Sequence, residues 1–472
     1  MSARASVLYL GARVFSGVMS VITVSLFARG IGPESYAWLT LVTAGNALVA
    51  SVLLQPLNQS LARFMPRAGF GDLLATLSRL FMLGAIPFLL LALAVEAWRP
   101  SWLPAGVAIG VWALGMAQGV FDFACQHANT SLQPRRYSLL YIVKATLVLC
   151  IGLLVLRVHR GADGALAAMV CGFVLAALGV GWPTWRAAWR DAWRPALLRQ
   201  IAPYAVPFAG TLFLGAILAW ADRLILGALA PAAQTGGYGA ASDLVLQGLV
   251  LISSAFFLAW YPRMVIAAEQ GRRQELESLY QRYAVLALAL LLPVALGYAL
   301  VRHNLVAVLL GQAYSDVSVR VMPWLALSAL LAGVRTYLLE IPLHIGNRMR
   351  LHLRNVAACA VTSVVLNLLL VPRYGAVGAA MAGGVAQAVG CLLAWTAARG
   401  VMRRRVPLIP LLYILAGCAA MALAVSLIAH GGIVGLLMEV STGVTVYAIF
   451  MFAGNVAGCR DRILTRWKRR HD

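Results

Sequence analysis

Runs of about 20 apolar residues recur along the whole chain, separated by short polar connections. A helix needs about 20 such residues to cross the ~30 Å hydrocarbon layer of a bilayer. The runs are continuous and do not alternate with a period of two, which argues against a membrane-spanning β-sheet. The sequence therefore predicts an all-α integral membrane protein with about 14 transmembrane helices. The fourteen runs begin near Val7, Ala37, Leu80, Trp102, Tyr137, Asp163, Pro203, Gly237, Tyr283, Val317, Leu351, Gly375, Pro407 and Gly432.

Composition supports the same interpretation. Apolar residues make up 62% of the 472 residues and charged residues only 11%, against about 45–50% and 25% in soluble domains. The seven cysteines form no Cys-x-x-Cys pair and fall mostly inside or at the ends of the runs, as expected of small packing residues. The seven histidines show no His-Glu-x-x-His or similar spacing. We therefore expect no metal site, no cofactor and no catalytic residues.

The distribution of positive charge predicts the orientation of the chain. If the N-terminus is cytoplasmic, 27 of the 38 Lys and Arg residues fall on the cytoplasmic side and six on the opposite side. This is the asymmetry of the positive-inside rule, and it predicts that both termini are cytoplasmic. The basic face then lies against anionic membrane lipids. It accounts for the net charge of +22 without any nucleic-acid partner.

Short phrases recur about 200 residues apart, each at the same span boundary. Two six-helix copies of one design explain this recurrence, and because six is even, both copies have the same orientation. They should be related by a pseudo-twofold axis along the membrane normal, with the transport pathway between them. The paired phrases are GADGALAA (161–168) with GAVGAAMA (375–382), MPR (65–67) with YPR (261–263), and GPESYAW, through Tyr36, with GGYGAAS, through Tyr238.

The repeat predicts the domain organisation. A tryptophan-rich stretch, WPTWRAAWRDAWRPALLR from Trp182, separates the two copies. Its Trp185, Trp189 and Trp193 are four residues apart with arginines beside them, which predicts one indole stripe on a helix lying in the membrane interface. The predicted parts are an N-terminal six-helix lobe (1–185), an interfacial amphipathic linker (186–200), a C-terminal six-helix lobe (201–400), and two extra helices with a basic cytoplasmic tail (401–472).

Three stretches carry a resemblance to a known family. GARVFSGVMSVITVSLFARGIGPESYAWLTL, from Gly11, followed by LARFMPR, resembles the start of polysaccharide transporters of the Wzx type. WADRLILGALAPAAQTGGYGAASDLV, from Trp220, is similar to the seventh and eighth spans of the same family. The superfamily also contains multidrug MATE exporters and the lipid II flippase. The likeness covers the whole chain in span count and repeat plan.

The resemblance implies a function, a location and partners. It implies a flippase, and not an enzyme, that moves an undecaprenyl-diphosphate-linked oligosaccharide across the bacterial inner membrane. The cargo would be a repeat unit of O-antigen (lipopolysaccharide), capsule or exopolysaccharide. Alternating access between the lobes and coupling to H⁺ or Na⁺ are further expectations. A polysaccharide polymerase and a chain-length regulator are the expected protein partners.

Three cations lie inside predicted spans, where a charged side chain is unfavourable and its presence needs an explanation. A charge at the bilayer centre costs about 2.5–3.5 kcal/mol on insertion scales. Arg13, Lys144 and Arg335 lie about six or seven residues from the cytoplasmic ends of their spans, which is roughly 10 Å of depth at 1.5 Å per residue. Together they predict a receptor for the substrate diphosphate. The alternative is that they snorkel to the surface or pair with carboxylates, as Arg335 could with Glu340.

Two further sets of polar residues fall inside predicted spans. A charged set near the outer ends is a candidate coupling site or gate, the alternative being a structural ion pair. A set of amides is a candidate for contact with sugar hydroxyls, the alternative being hydrogen bonding between helices. The charged set comprises Asp222, Arg223 and Asp243, and the amides are Asn46, Gln55, Asn58 and Gln247.

Other functions remain open at this point. A MATE-like exporter of cationic drugs would need a cavity lined by carboxylates, whereas the predicted inner half is cationic. A membrane-embedded polysaccharide polymerase or glycosyltransferase would need a substantial extramembrane face. The longest outer connection, from Arg302 to Val317, has about 15 residues, and the chain contains no Asp-x-Asp motif. A scaffold that does not transport is the third alternative.

Overall fold

The chain folds into helices over almost all of its described length. The computed structural model describes residues 3–67, 69–399, 407–428, 430–456 and 460. These ranges contain helices, turns and bends and no β-strand. Their sixteen α-helices are α1 (Ala3–Leu53), α2 (Gln55–Phe64), α3 (Leu73–Ala97), α4 (Val107–Thr130), α5 (Pro134–Val158), α6 (Ala162–Gly179), α7 (Trp182–Arg190), α8 (Ala196–Leu229), α9 (Ala232–Glu269), α10 (Arg273–Leu300), α11 (Arg302–Leu309), α12 (Ser315–Val334), α13 (Ile341–Ile345), α14 (Met349–Ala397), α15 (Leu408–Ser426) and α16 (Gly432–Ala453).

Eleven segments of the described chain are long and apolar enough to cross a membrane. Two of the helices involved, α1 and α14, are each interrupted by one non-helical glycine, Gly32 with φ 75° and Gly375 with φ 55°. Glycine adopts positive φ without steric cost. Each helix therefore holds two predicted spans, and predicted span eight lies within the 38 residues of α9. The predicted all-α membrane fold is confirmed.

The chain divides into two compact units. Unit 1 comprises Met1–Ala240 and Ser363–Ala379, and unit 2 comprises Ala241–Thr362 and Ala380–Asp472. The predicted boundaries at 185, 200 and 400 and the pseudo-twofold axis stay predictions. Of the predicted C-terminal part, residues 401–406 and the tail from 461 to 472 lie outside the described residues.

In unit 1, the first half of α1 runs parallel to α5. Arg13 contacts Tyr137 near the start of both helices. Further along, a Cβ on Gly152 would lie 2.7 Å from the ring of Phe27. The second contact lies further towards the C-terminus than the first on both helices, so the two helices run in the same direction. The first half of α1 and α5 therefore cross the unit in the same sense.

The second half of α1 runs parallel to α4. A Cβ on Gly110 would lie 2.9 Å from Val42, and one on Gly119 would lie 3.1 Å from Leu54. Because α4 and α5 follow one another through a short turn and are antiparallel, the two halves of α1 are also antiparallel. The chain therefore reverses direction at Gly32, as the span prediction requires.

The short helix α7 corrects one prediction. Trp185 is only 3% exposed and packs into the unit 1 core, whereas Trp189 is 66% exposed. Trp189 instead pairs edge to face with Trp182, with ring centroids 5.6 Å apart. The helix ends before Trp193. The prediction of one indole stripe through Trp185, Trp189 and Trp193 on a single helix is therefore wrong, because Trp185 packs into the core and Trp193 lies beyond the helix.

In unit 2, α10 packs against one parallel helix and one antiparallel helix. Val285 of α10 clusters with Ile414 at the start of α15. At the other end of both helices, Val301 clusters with Val425. These contacts make α10 and α15 parallel. The Tyr283 hydroxyl of α10 donates to a backbone carbonyl just beyond the end of α12, with which α10 is antiparallel.

The repeated phrase lies at a close approach between consecutive helices in both copies. In the first copy, a Cβ on Gly164 would lie 3.1 Å from the carbonyl oxygen of His159. In the second copy, a Cβ on Gly378 would lie 2.4 Å from the carbonyl oxygen of Leu370. In both places the start of one helix lies against the end of the preceding helix. A glycine at the fourth position of each phrase permits this approach.

Candidate functional site

One face of α5 carries Lys144 and contacts Arg13, which are two of the predicted cations. Tyr137, Tyr141 and Lys144 are spaced by four and three residues, which places them on one side of the helix. The Arg13 guanidinium donates a hydrogen bond to the Tyr137 hydroxyl at 2.9 Å. The Arg13 Cζ lies 5.9 Å from the Tyr141 ring centroid. The residue as a whole is exposed.

Lys144 lies among aromatic rings. Its Nζ is 5.1 Å from the ring centroid of Phe173 and 5.9 Å from that of Phe121, which is the range of cation–π attraction. Arg13 and Lys144 thus contact one continuous aromatic cluster, with neighbouring centroids 4.8–5.6 Å apart. Within the described part of the chain, neither cation forms an ion pair. The aromatic cluster consists of Tyr9, Tyr137, Tyr141, Phe121 and Phe173.

A carboxylate that sequence reasoning missed lies on the neighbouring helix. Gln118, Asp122 and Cys125 are spaced by four and three residues on one face of α4. The Gln118 amide donates to the Asp122 carboxylate at 3.4 Å. Asp122 in turn interacts electrostatically with Lys144. This polar stripe in an apolar span was the available signal in the sequence.

Arg335 lies in a different environment, in unit 2. It is only 7% exposed and begins a π-helical turn, Arg335–Leu339. The Glu340 backbone N–H donates to the Arg335 carbonyl, five residues back, at 2.9 Å. The Arg335 guanidinium donates to Glu340 Oε1 at 2.6 Å and to Gln387 Oε1 at 2.9 Å. Arg335 therefore has the carboxylate partner that the sequence analysis left open as the alternative.

Two histidines complete the surroundings of Glu340. Glu340 is 1% exposed, and its Oε2 lies 3.5 Å from Nδ1 of His352. The rings of His344 and His352 have centroids 4.7 Å apart. The ligand atoms of Glu340, His344 and His352 all lie within 4.8 Å of one another. The sequence analysis expected no metal site, yet these three residues are of the types that bind transition metals.

The predicted coupling residues fall into both units. In unit 1, the Asp222 carboxylate accepts hydrogen bonds from the Tyr238 hydroxyl and, at 2.8 Å, from the backbone N–H of Arg223. The Arg223 side chain is fully buried, and its Cζ lies 4.4 Å from the ring of Trp220. Asp243 is partly buried and belongs to unit 2. A role of these residues in coupling or gating stays a prediction.

The predicted sugar-contacting amides differ in their surroundings. Asn46 is buried and donates to Gln118 of α4 at 2.7 Å, which is the hydrogen bond between helices that the alternative describes. Asn58 is buried as well, whereas Gln55 is exposed. The side chain of Gln247 lies outside the described residues. Contact with sugar stays a prediction for all four.

Known structures share this fold. The lipid II flippase MurJ, in an inward closed conformation, matches with a TM-score of 0.74 at 13% identity, over 97% of this chain and 100% of that chain. An inward-facing multidrug resistance MATE family transporter of the MOP superfamily matches with a TM-score of 0.62 at 13% identity, over 84% and 98%. A MOP superfamily transporter from Pyrococcus furiosus, described by a binding pocket of reverse polarity that suggests a different function, matches with a TM-score of 0.55 at 14% identity, over 86% and 100%. The chain is therefore a multi-pass membrane protein with the MurJ and MATE transporter fold.

The sequence comparison points to a narrower group. Residues 110–319 match the sequence profile of a family described as polysaccharide biosynthesis protein. The matched region begins in α4 and ends in α12. No curated protein sequence matches this chain. The family match supports the resemblance to a polysaccharide family that the sequence analysis stated, and the structural matches show the fold.

Proposed function

We propose that the protein is a flippase for an undecaprenyl-diphosphate-linked oligosaccharide and works by alternating access. The observation that carries this proposal is that Arg13 and Lys144 contact one aromatic cluster of unit 1 and form no ion pair with any described residue. Cations inside the spans of a membrane protein are costly. An anionic cargo that binds to them supplies a reason for keeping them there.

The chemistry of the two cations suits a diphosphate. A guanidinium binds phosphate oxygens through two parallel N–H bonds, and an ammonium binds them as a compact point charge. Tyr137 and Tyr141 hold the Arg13 guanidinium on the aromatic cluster, so that less side-chain entropy is lost when a ligand binds. The role of Arg335 as a third ligand stays a prediction, and its ion pair with Glu340 makes it the weakest of the three candidates.

The remaining parts of the proposal concern cargo and location. The sugars present apolar ring faces and hydroxyls, for which the aromatic cluster and the amide pair of Asn46 and Gln118 offer complementary groups. The charge asymmetry of the sequence supports placement in the bacterial inner membrane with both termini in the cytoplasm. A polymerase and a chain-length regulator would receive the outward-facing cargo.

Deletion of the gene tests the function directly. We expect lipid-linked oligosaccharide to accumulate in the inner leaflet, where added hydrolases and lectins cannot reach it, and the mature polysaccharide to disappear. Expression of the wild-type chain should reverse both effects. Normal polysaccharide at the cell surface of the deletion strain, without accumulation of the lipid-linked precursor, would contradict the proposal.

A second candidate function is a MATE-like antiporter of cationic compounds. The half-buried carboxylates of unit 1, Asp122 and Asp222, and the likeness to MATE structures favour it. Proteoliposomes separate the two functions. An antiporter moves a cationic dye against its gradient and loses this activity in Asp122→Asn, whereas the proposed flippase moves the lipid-linked oligosaccharide and leaves the dye in place.

A further inference from the structure

We propose that Glu340, His344 and His352 bind a divalent transition metal, with Zn²⁺ as the preferred ion. Glu340 and His344 are four residues apart on either end of one helical turn, which places them on one face. His352 lies in the first turns of α14, after the short turn through Asn347, whose φ is 53°. One carboxylate and two imidazoles form a ligand set used by zinc sites that keep a fourth position for water.

The distances fit a single ion. Ligand atoms bound to one tetrahedral Zn²⁺ at about 2.0–2.2 Å lie roughly 3.3 Å from each other. Glu340 Oε2 and His352 Nδ1 are 3.5 Å apart, and the whole set spans no more than 4.8 Å. Nδ1 of His352 is buried and has no hydrogen-bond partner among the described residues, so an ion would satisfy it.

Arg335 positions the carboxylate for this role. It holds Oε1 of Glu340 at 2.6 Å and is itself held by Gln387 at 2.9 Å. The second oxygen, Oε2, is left facing His352. Hydrogen bonds of this kind to a ligating carboxylate orient the ligand in known metal sites. Arg335 is thus a positioning residue, which fixes the orientation of the carboxylate through Oε1.

The donor set selects the type of ion. Imidazole nitrogens suit Zn²⁺, Cu²⁺ and Ni²⁺, whereas Mg²⁺ and Ca²⁺ prefer sites made of oxygen atoms. A bound ion would link α13 to the start of α14 within unit 2. The site is independent of the proposed cargo, because it needs neither lipid nor sugar.

The test uses the full chain, purified in detergent without a polyhistidine tag and stripped with EDTA. Isothermal titration with Zn²⁺ should give one equivalent bound by the wild type, and Co²⁺ should give the visible absorption of a tetrahedral site. The double variant His344→Ala/His352→Ala should bind at least a hundredfold more weakly. Arg335→Lys should weaken binding about ten- to hundredfold, as removal of outer-shell partners does elsewhere.

His303→Ala is the matched control, because His303 is an exposed histidine of the same unit, and it should bind like the wild type. If the double variant is not monodisperse, the single variants His344→Gln and His352→Gln replace it. Substoichiometric Zn²⁺ in the wild type, or equal affinity in wild type and histidine variants, overturns the proposal. Equal binding of Mg²⁺ and Zn²⁺ would also overturn it.

Discussion

Arg13 in unit 1 and Arg335 in unit 2 carry the same guanidinium at the same predicted depth, but their neighbours differ. Arg13 is exposed and donates to a neutral tyrosine hydroxyl, whereas Arg335 is 7% exposed and lies against a carboxylate and an amide. A buried charge without a partner is strongly destabilising. The same residue type therefore has different surroundings in the two units: Arg335 is buried in an ion pair, and Arg13 is the residue for which we propose ligand binding.

The largest expected effect comes from removing the carboxylate in unit 2. Glu340→Ala leaves Arg335 buried and without its counterion, which typically costs about 3–5 kcal/mol. Thermal unfolding in detergent with a chelator present should show a clear loss of stability. The double variant Arg335→Met/Glu340→Leu should recover most of it, because it removes both charges. Unchanged stability of Glu340→Ala would contradict a structural role for the Arg335–Glu340 pair in unit 2.

The next effect concerns transport and belongs to unit 1. Arg13→Ala and Lys144→Met should each reduce flipping in proteoliposomes about ten- to hundredfold, since a hydrogen bond to a charged group contributes about 1.5–3 kcal/mol. The stability of Arg13→Ala should change by only about 0.5 kcal/mol, because the residue is exposed. Arg157→Ala, at the exposed far end of α5, is the control and should transport normally. Loss of folding in Arg13→Ala would show that this arginine is structural too.

A smaller effect tests how tightly Arg335 is packed. A Cβ on Gly390 would lie 2.4 Å from Cys359 Sγ and 2.6 Å from Arg335 Cδ, so Gly390→Ala should cost about 1–3 kcal/mol by overpacking. Gly384, six residues earlier on the same helix, has no atom within 4 Å of its Cβ position. Gly384→Ala should therefore be neutral or stabilise by up to about 1 kcal/mol. Equal melting temperatures for the two variants would contradict close packing around Arg335.

The smallest expected effect tests how the charge of Asp122 influences diphosphate binding in unit 1. Asp122 interacts with Lys144 without forming an ion pair, and its negative charge opposes an incoming diphosphate. Asp122→Asn should tighten binding of a soluble diphosphate analogue a few-fold, most clearly at low salt. Competition assays at two ionic strengths measure this. Weaker binding in Asp122→Asn would mean that the carboxylate helps to hold the cargo.

Much of the fold was accessible from the sequence, because bilayer thickness sets the length of every span. Runs of the required length marked the spans, and Gly32 and Gly375 lie at two reversals between them. The orientation of Trp185 was not accessible, since spacing on a helix does not determine which edge of an apolar stripe meets the core. Tertiary packing decides that, and in this chain it buries Trp185.

The candidate site was accessible only in part. Arg13 and Lys144 were found because cations are rare in spans, and Asp122 was missed although its spacing from Gln118 was visible. The contact of Arg335 with Glu340 depends on the π turn between them. In an α-helix, residues five apart point to different faces, whereas the i→i+5 bonds of a π turn bring them together. The residue spacing alone does not predict such a turn.

The reversals at Gly32 and Gly375 have a consequence for how the chain enters the bilayer during synthesis. A single non-helical residue joins the two helices of each hairpin. The connection is too short for one helix to insert into the bilayer before the other. Each hairpin must partition from the translocon into lipid as a pair. A bulky β-branched residue at Gly375, whose Cβ would lie 2.0 Å from Gln234 Oε1, should therefore lower the yield of inserted protein.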